Sequence, residues 1–404
     1  MSIMRRRGVH TVLELGGGHG LTATRLAAAG AHVTTVEREG MRSRAIGDLA
    51  VRCGVADRVH VVSSDALSAT LHIEGTFDLI LIDAAKSEYT RLFRRYCPQL
   101  ATAGVIISDN MAFHGIVSTP SLTHNRGTKA LARHLAEYAD FLRWHPDFAT
   151  YYSSSGDGVA ISVRKGDFAP LAHEGKLLFT LAHSRYIALH HEGSTCALKV
   201  LPDGTSEDQA RCQARLLAHL SSSHASALTP IDLVRVGSAF ALRVTPQPAR
   251  PLLCELKQAR CAKERDELLS HLVALQRRIA HLDTTGLPSY KDVLRRAAGG
   301  DSLEAAPLIH AIKRLPGGAE AAMLCKPLEE LLLLEGGDVC YAGDGCLCSA
   351  PFEFVLCTTW QAIGGSVGAT AARSYLAIAG ASDVQLHPFA LVIKQLGATL
   401  TARI

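Results

Sequence analysis

The sequence predicts an α/β fold, a doubly wound and mostly parallel sheet, with an additional C-terminal α+β region. Three observations carry that expectation. Short apolar runs alternate with amphipathic stretches from about residue 11 to residue 165, a glycine-rich turn follows the first run, and acidic residues stand at the ends of successive runs. Apolar runs bounded by turn residues read as buried strands, and the amphipathic stretches between them read as right-handed crossovers.

Taken in order, TVLELG (11–16), HVTTVE (32–37), RVHVVSSD (58–65), FDLILIDA (77–84), GVIISDN (104–110) and GVAISVR (158–164) are the expected strands. The segments between the first five are expected to be helices. A parallel sheet covered on both faces places its ligand beyond the carboxyl ends of its strands. Glu14 with its glycines, Glu37, Asp65, Asp83 and the pair Asp109-Asn110 all fall at such ends. After RKGDFAP the texture changes, and Pro170 with glycines at 166 and 175 marks a boundary between domains of 1–168 and 169–404. Residues 176–201 read as antiparallel strands, 207–220 and 262–282 as helices, and the remainder as Ala, Leu and Gly-rich chain without a clear period.

The bulk numbers exclude several classes. With 404 residues, 48% hydrophobic and 20% charged, the chain is neither disordered nor fibrous, and it is long enough for two or three cores. A net charge of +4 neither requires nor excludes a nucleic-acid partner. Eleven scattered cysteines and a start, MSIMRRRGVH, without an apolar segment imply free thiols in a reducing, cytoplasmic setting. Cys340, Cys346, Cys348 and Cys357 lack the paired spacing of a zinc site and are expected to be buried small apolar residues. The uncharged run 354–372 is diluted by Thr358, Thr359, Gln361, Ser366 and glycines, so it is expected in a core, and no membrane partner is expected.

The chemistry concentrates in the first domain. ELGGGHG (14–20) follows a strand and opens a helix, so Gly16, Gly18 and Gly20 let a ligand approach backbone N–H groups at a helix start. The spacing differs from the dinucleotide pattern GxGxxG, and no Lys-Ser/Thr follows as a phosphate loop requires. Glu37, ending the next strand, can accept both hydroxyls of a ribose, and Asp65, ending the third, can accept an adenine amino group. An adenosyl ligand fits Glu14, its glycines, Glu37 and Asp65 together.

On these residues, and on DLILIDAAKSEY (78–89), GVIISDN (104–110) and SGDGVAIS (155–162), residues 12–165 resemble the class I, Rossmann-like, S-adenosylmethionine-dependent methyltransferases, and more narrowly the cation-dependent O-methyltransferases of the catechol and caffeoyl-CoA type. The resemblance implies S-adenosyl-L-methionine as cofactor, Asp83, Asp109 and Asn110 as ligands of Mg²⁺ or another divalent cation, and Lys86 as the base beside it. Asp83 is shared between the cofactor and metal sites. Two carboxylates and an amide oxygen at neighbouring strand ends do suit a hard cation, which lowers the pKa of a chelated hydroxyl. The plainer alternative is that these Asp and Asn residues cap the segments after them.

The stretches DNMAFHGIV and FLRWHPDFATYYSSSGDGVAISVRK are similar to the bacterial tRNA 5-hydroxyuridine methyltransferases. That resemblance implies a tRNA anticodon as partner, with a single-stranded base whose hydroxyl neighbours a carbonyl. Arg5 to Arg7, Arg91, Arg94, Arg95 and Arg126 could meet its phosphates. A small catechol or phenol is the alternative acceptor, a non-catalytic cofactor-binding scaffold is a third reading, and a homodimer is compatible with the sequence.

Members of that family carry a helical segment before the first strand, whereas this chain reaches its first strand by Val12. Residues 169–404 have no counterpart in the compact family. Within 176–300, YIALHHEGSTCALKVL followed by EDQARCQARLLAHL is similar to the first strands and helix of a protein-kinase small lobe, with Lys199 in the phosphate-contacting place and Gln213 where a glutamate is expected. No HRD or DFG follows, so phosphotransfer is not expected and the region is read as serving for binding or for covering the first domain.

Overall fold

The computed structural model describes residues 8–154, 156–181, 184–191, 194–222, 228–245, 249–282, 289–298, 306–316, 320–324, 331–334, 339–341 and 347–396. They fall into two compact units, Met1–Gly166 and Asp167–Ile404.

The first unit is built on one seven-stranded sheet of β1 (Thr11–Leu15), β2 (His32–Glu37), β3 (Val59–Ser63), β4 (Phe77–Ile82), β5 (Leu100–Ser108), β6 (Phe148–Ser153) and β7 (Val159–Arg164), in the order β3-β2-β1-β4-β5-β7-β6. The first five strands run parallel, while β7 is antiparallel to both β5 and β6. Alternation along the strands fills both faces. Leu13, Leu15, Ile80, Ile82 and Ile106 join Tyr89, Phe93 and Leu135 in one core. Val12, Leu79 and Val105 pack on the other face with Ala23, Leu26 and Ala50. The inner strands β1, β2, β4 and β5 therefore bury side chains on two sides, which is why they read as apolar runs rather than as alternating ones.

Two sequence expectations need correction here. The connection between β3 and β4 holds no helix: the Asp65 carboxylate accepts from Leu67 N at 2.8 Å and Ser68 Oγ accepts from Thr70 N at 3.4 Å, so side chains turn the backbone that a helix would have claimed. A seventh strand, β6, lies at the sheet edge, where Tyr151 and Tyr152 stay exposed and the apolar run that marks the inner strands is missing.

The second unit contains a five-stranded antiparallel sheet of β8 (Lys176–Leu181), β9 (Ser184–His191), β10 (Ser194–Val200), β11 (Pro230–Val236) and β12 (Ala239–Val244), in the order β11-β12-β10-β9-β8. The helix Glu207–Ser222 connects β10 to β11. Lys199 sits in β10 opposite Tyr186 and Leu242 and is fully buried. The helix Ala262–Ala280 follows, and the stretch without a readable period contains the helices Phe352–Ser366, Ala369–Ala379 and Asp383–Leu396. Phe354 through Thr359 are buried consecutively in the first of these, so it is covered all round and shows no amphipathic stripe. Among the described residues no helix is long and apolar enough to cross a membrane. Cys348 and Cys357 are buried free thiols, with burial pushing Cys357 up to about 12, while the side chain of Cys340 and all of Cys346 lie outside the described residues.

Candidate functional site

The glycine-rich turn leaves β1 and folds back over β2, Gly16 N and Gly17 N both donating to the Val36 carbonyl at 2.9 and 3.2 Å. Gly16 has φ +101°, and a Cβ there would stand 2.1 Å from the backbone oxygen of Asp83. Only glycine lets the end of β1 pass the end of β4 this closely. One turn later, Gly18 N donates to Glu37 Oε2 and Glu39 N to Glu37 Oε1, each at 2.9 Å. Both oxygens of the Glu37 carboxylate are thus fixed by backbone N–H groups. Gly20 takes φ +80° immediately before the helix Leu21–Ala28.

Gly16, Gly18, Glu37, Asp65 and Asp83 line a cavity of about 850 Å³ at the carboxyl ends of β1 to β4, with Arg38, Arg42, Ser87, Glu88 and Arg91 also around it. Five of the seven residues expected to hold the cofactor therefore meet in one place. Glu14 and Gly20 stand outside the lining. Glu14 is 2% exposed and accepts a hydrogen bond from the Thr35 hydroxyl at 2.5 Å. Burial pushes its carboxyl from the ordinary 4.5 up to about 7, against the Thr35 hydrogen bond and with help from the charges of Asp83 and Glu37.

At one end of the cavity the remaining expected residues converge. Asp83 follows β4, and Asp109 follows β5 with its N–H donating to the Ile82 carbonyl at 3.1 Å, so the two carboxylates leave adjacent strand ends. Desolvation and the neighbouring Asp109 raise the pKa of Asp83, while Lys86 pulls it down. Lys86 Nζ donates to Asn110 Oδ1 at 3.3 Å and lies 5.8 Å from the centre of the Tyr89 ring. Asn110 takes φ +56°, a left-handed turn that Asn tolerates better than most residues. Among the described residues no three His, Cys, Asp or Glu side chains are grouped to hold a metal ion, so a cation here would take the Asn110 amide as its third protein ligand. The set of two carboxylates and one amide oxygen fits a hard divalent ion, whose charge relieves the repulsion between Asp83 and Asp109.

Four supporting residues were not anticipated from the sequence. Tyr89, buried, donates its hydroxyl to the Asp109 carbonyl at 3.1 Å. Ser108 and Tyr138 share a buried hydrogen bond of 2.7 Å directly before the Asp109-Asn110 pair. Asp157 accepts from His114 N at 2.6 Å. A buried tyrosine hydroxyl needs a partner, so a Tyr three residues after Lys86 was the one available signal. Of the arginines expected to meet phosphate, Arg94 lies over the Phe141 ring, Arg95 donates to the Leu71 carbonyl, and Arg91 pairs with Glu88. Arg126 opens the helix Arg126–Arg143 and is exposed, and Arg5 to Arg7 lie outside the described residues.

Residues 3–165 match the family model of the O-methyltransferases. A flavonoid 3',5'-methyltransferase of Vitis vinifera is 28% identical over 120 residues, which are 28% of this chain and 51% of that protein. The chain thus spans about half the length of this relative. Among solved structures, a candidate caffeoyl-CoA O-methyltransferase from Staphylococcus aureus is 27% identical, with 41% of this chain and 80% of that one covered at a TM-score of 0.39. A methyltransferase from Podospora anserina bound to S-adenosylhomocysteine is 24% identical, with 41% and 76% covered and a TM-score of 0.39.

Proposed function

We propose that the first unit is a divalent-cation-dependent O-methyltransferase that moves a methyl group from S-adenosylmethionine to a hydroxyl with a second oxygen beside it, the acceptor being 5-hydroxyuridine in tRNA. One observation carries the reading. Asp83 belongs both to the wall of a nucleoside-sized cavity and to the cluster with Lys86, Asp109 and Asn110.

The residues divide the work. Glu37, with its carboxylate held by Gly18 and Glu39, presents its remaining lone pairs to ribose hydroxyls. Asp65 at the far wall accepts from the adenine amino group. Asp83, Asp109 and Asn110 would hold the cation, which when bound supplies the charge that acidifies a chelated hydroxyl. Lys86, next to that cluster, would act as the base in its neutral amine form, taking the proton as the acceptor oxygen becomes a nucleophile. Holding donor and acceptor in line accounts for most of the remaining rate.

The tRNA acceptor is favoured by the hPxFxT and GDGxAIS segments at 145–150 and 156–162. A small phenol is the second reading, favoured by the flavonoid-methylating relative and by the engagement of Arg94 and Arg95 within the unit. The deciding experiment incubates the full chain with methyl-labelled cofactor and either tRNA carrying 5-hydroxyuridine or a panel of catechols, with and without chelator. Label in tRNA that chelator abolishes supports the proposal, and label in catechols alone moves the assignment to the second reading. Tight S-adenosylhomocysteine binding with no label transferred to any acceptor would leave a non-catalytic scaffold.

A further inference from the structure

The loop after β5 is strained where it leaves the cluster. The described residues place three non-glycine side chains at positive φ, Asn110 at +56°, Phe113 at +47° and His114 at +55°, all within five positions of this loop. Each such residue costs roughly 1–2 kcal/mol unless its surroundings hold it there. The turn between β6 and β7 supplies the hold. Met111 N donates to the Gly158 carbonyl and Ala112 N to the Asp157 carbonyl, both at 2.8 Å. The Asp157 side chain then reaches past its own backbone, Oδ1 accepting from His114 N at 2.6 Å and Oδ2 standing 3.5 Å from His114 Nδ1. Gly158 keeps the two segments in contact, since a Cβ there would sit 2.9 Å from Ala112 N.

We propose that Asp157 is a positioning residue for the cation cluster. Its carboxylate caps the left-handed pair Phe113-His114 at His114 while its backbone carbonyl holds Ala112 N, and the two together fix Asn110 with its amide oxygen beside Lys86. The inference rests on the reading of Asn110 as a cation ligand. The hydrogen bonds of Asp157 go to the loop and not to Lys86 or the Asp83–Asp109 pair, so it acts through the backbone of residues 111–114.

The test compares full-length wild type, Asp157→Ala and Asp157→Asn by amide hydrogen exchange and by Mn²⁺ binding followed by electron paramagnetic resonance. In Asp157→Ala the peptide spanning 111–117 should exchange about 10-fold faster or more, as the loss of a charge-assisted acceptor allows, with peptides from β1 and β4 unchanged. Mn²⁺ affinity should fall by about 10-fold, in line with the loss of an outer support of a metal ligand, while S-adenosylhomocysteine affinity holds. Asp157→Asn, whose amide oxygen can still accept from His114 N, should recover most of the protection. Wild-type exchange in Asp157→Ala, equal acceleration in β1 and β4, or no recovery in Asp157→Asn each overturns the proposal. Wild-type protein that binds no Mn²⁺ sinks the cation reading alone, because the exchange comparison still decides whether Asp157 clamps the loop.

Discussion

Glu14→Gln isolates the most perturbed carboxyl of the first unit. Glu14 is 2% exposed, and its pKa is raised from 4.5 to about 7, chiefly by burial. For an acid whose pKa is higher in the folded state, the folded chain holds the proton through a window in which the unfolded chain has lost it. Stability therefore falls as pH rises from about 4.5 to 7 and stays lower above that window. At about 1.36 kcal/mol per pH unit, the full penalty is about 3 kcal/mol. Glutamine mimics the neutral acid, keeps an oxygen for the Thr35 hydroxyl, and does not titrate. The chain has two tryptophans, and Trp144 is buried in the first unit, so Trp360→Phe leaves one fluorescent reporter of that unit. Urea unfolding of this background at pH 5, 6, 7 and 8 should give similar stability with and without the Glu14→Gln substitution near pH 5. The substituted protein should gain progressively, to about 3 kcal/mol at pH 8. Groups not coupled to Glu14 contribute equally in both proteins and cancel in the difference. Two curves that stay within about 0.5 kcal/mol of each other across the range would refute the claim that burial raises the Glu14 carboxyl to about 7.

Three further outcomes follow from the same geometry. Asp109→Ala should abolish cation-dependent turnover while S-adenosylhomocysteine affinity by calorimetry changes by less than about 3-fold, since the residues lining the cavity come from other strand ends. Glu37→Ala removes the acceptor of both Gly18 N and Glu39 N, so affinity for S-adenosylhomocysteine should drop at least about 10-fold with Mn²⁺ binding intact. Gly16→Ala drives a Cβ into the Asp83 carbonyl at a positive φ, and the urea experiment should show a loss of about 3 kcal/mol or more, or no soluble protein.

The strand ends were readable because the rules that place them are local. A two-faced strand is a continuous apolar run, and the first polar residue after it must surface at the carboxyl edge, so Glu37, Asp65, Asp83 and Asp109 could be assigned to one rim before their neighbours were known. The helix expected between β3 and β4 failed for a reason also local in kind: the side chains of Asp65 and Ser68 bond the nearby backbone. β6 escaped because an edge strand needs no buried second face. The helix Phe352–Ser366 escaped for the opposite reason, being buried on every side over residues 354–359.

Two of the contacts that the sequence hid at the site are of one type. Tyr89 meets the Asp109 carbonyl from 20 positions away, and Asp157 meets the His114 N–H from 43 away. In both cases the partner is a backbone atom, which every residue possesses and no residue type advertises. Side chains aimed at a ligand are constrained by chemistry and by strand polarity, so their identities show through. Those that hold the backbone around them are constrained only by where two distant segments happen to cross. The cluster at Asp83, Lys86, Asp109 and Asn110 depends on both, because a left-handed Asn110 offers its oxygen to the right neighbour only while the loop behind it is pinned.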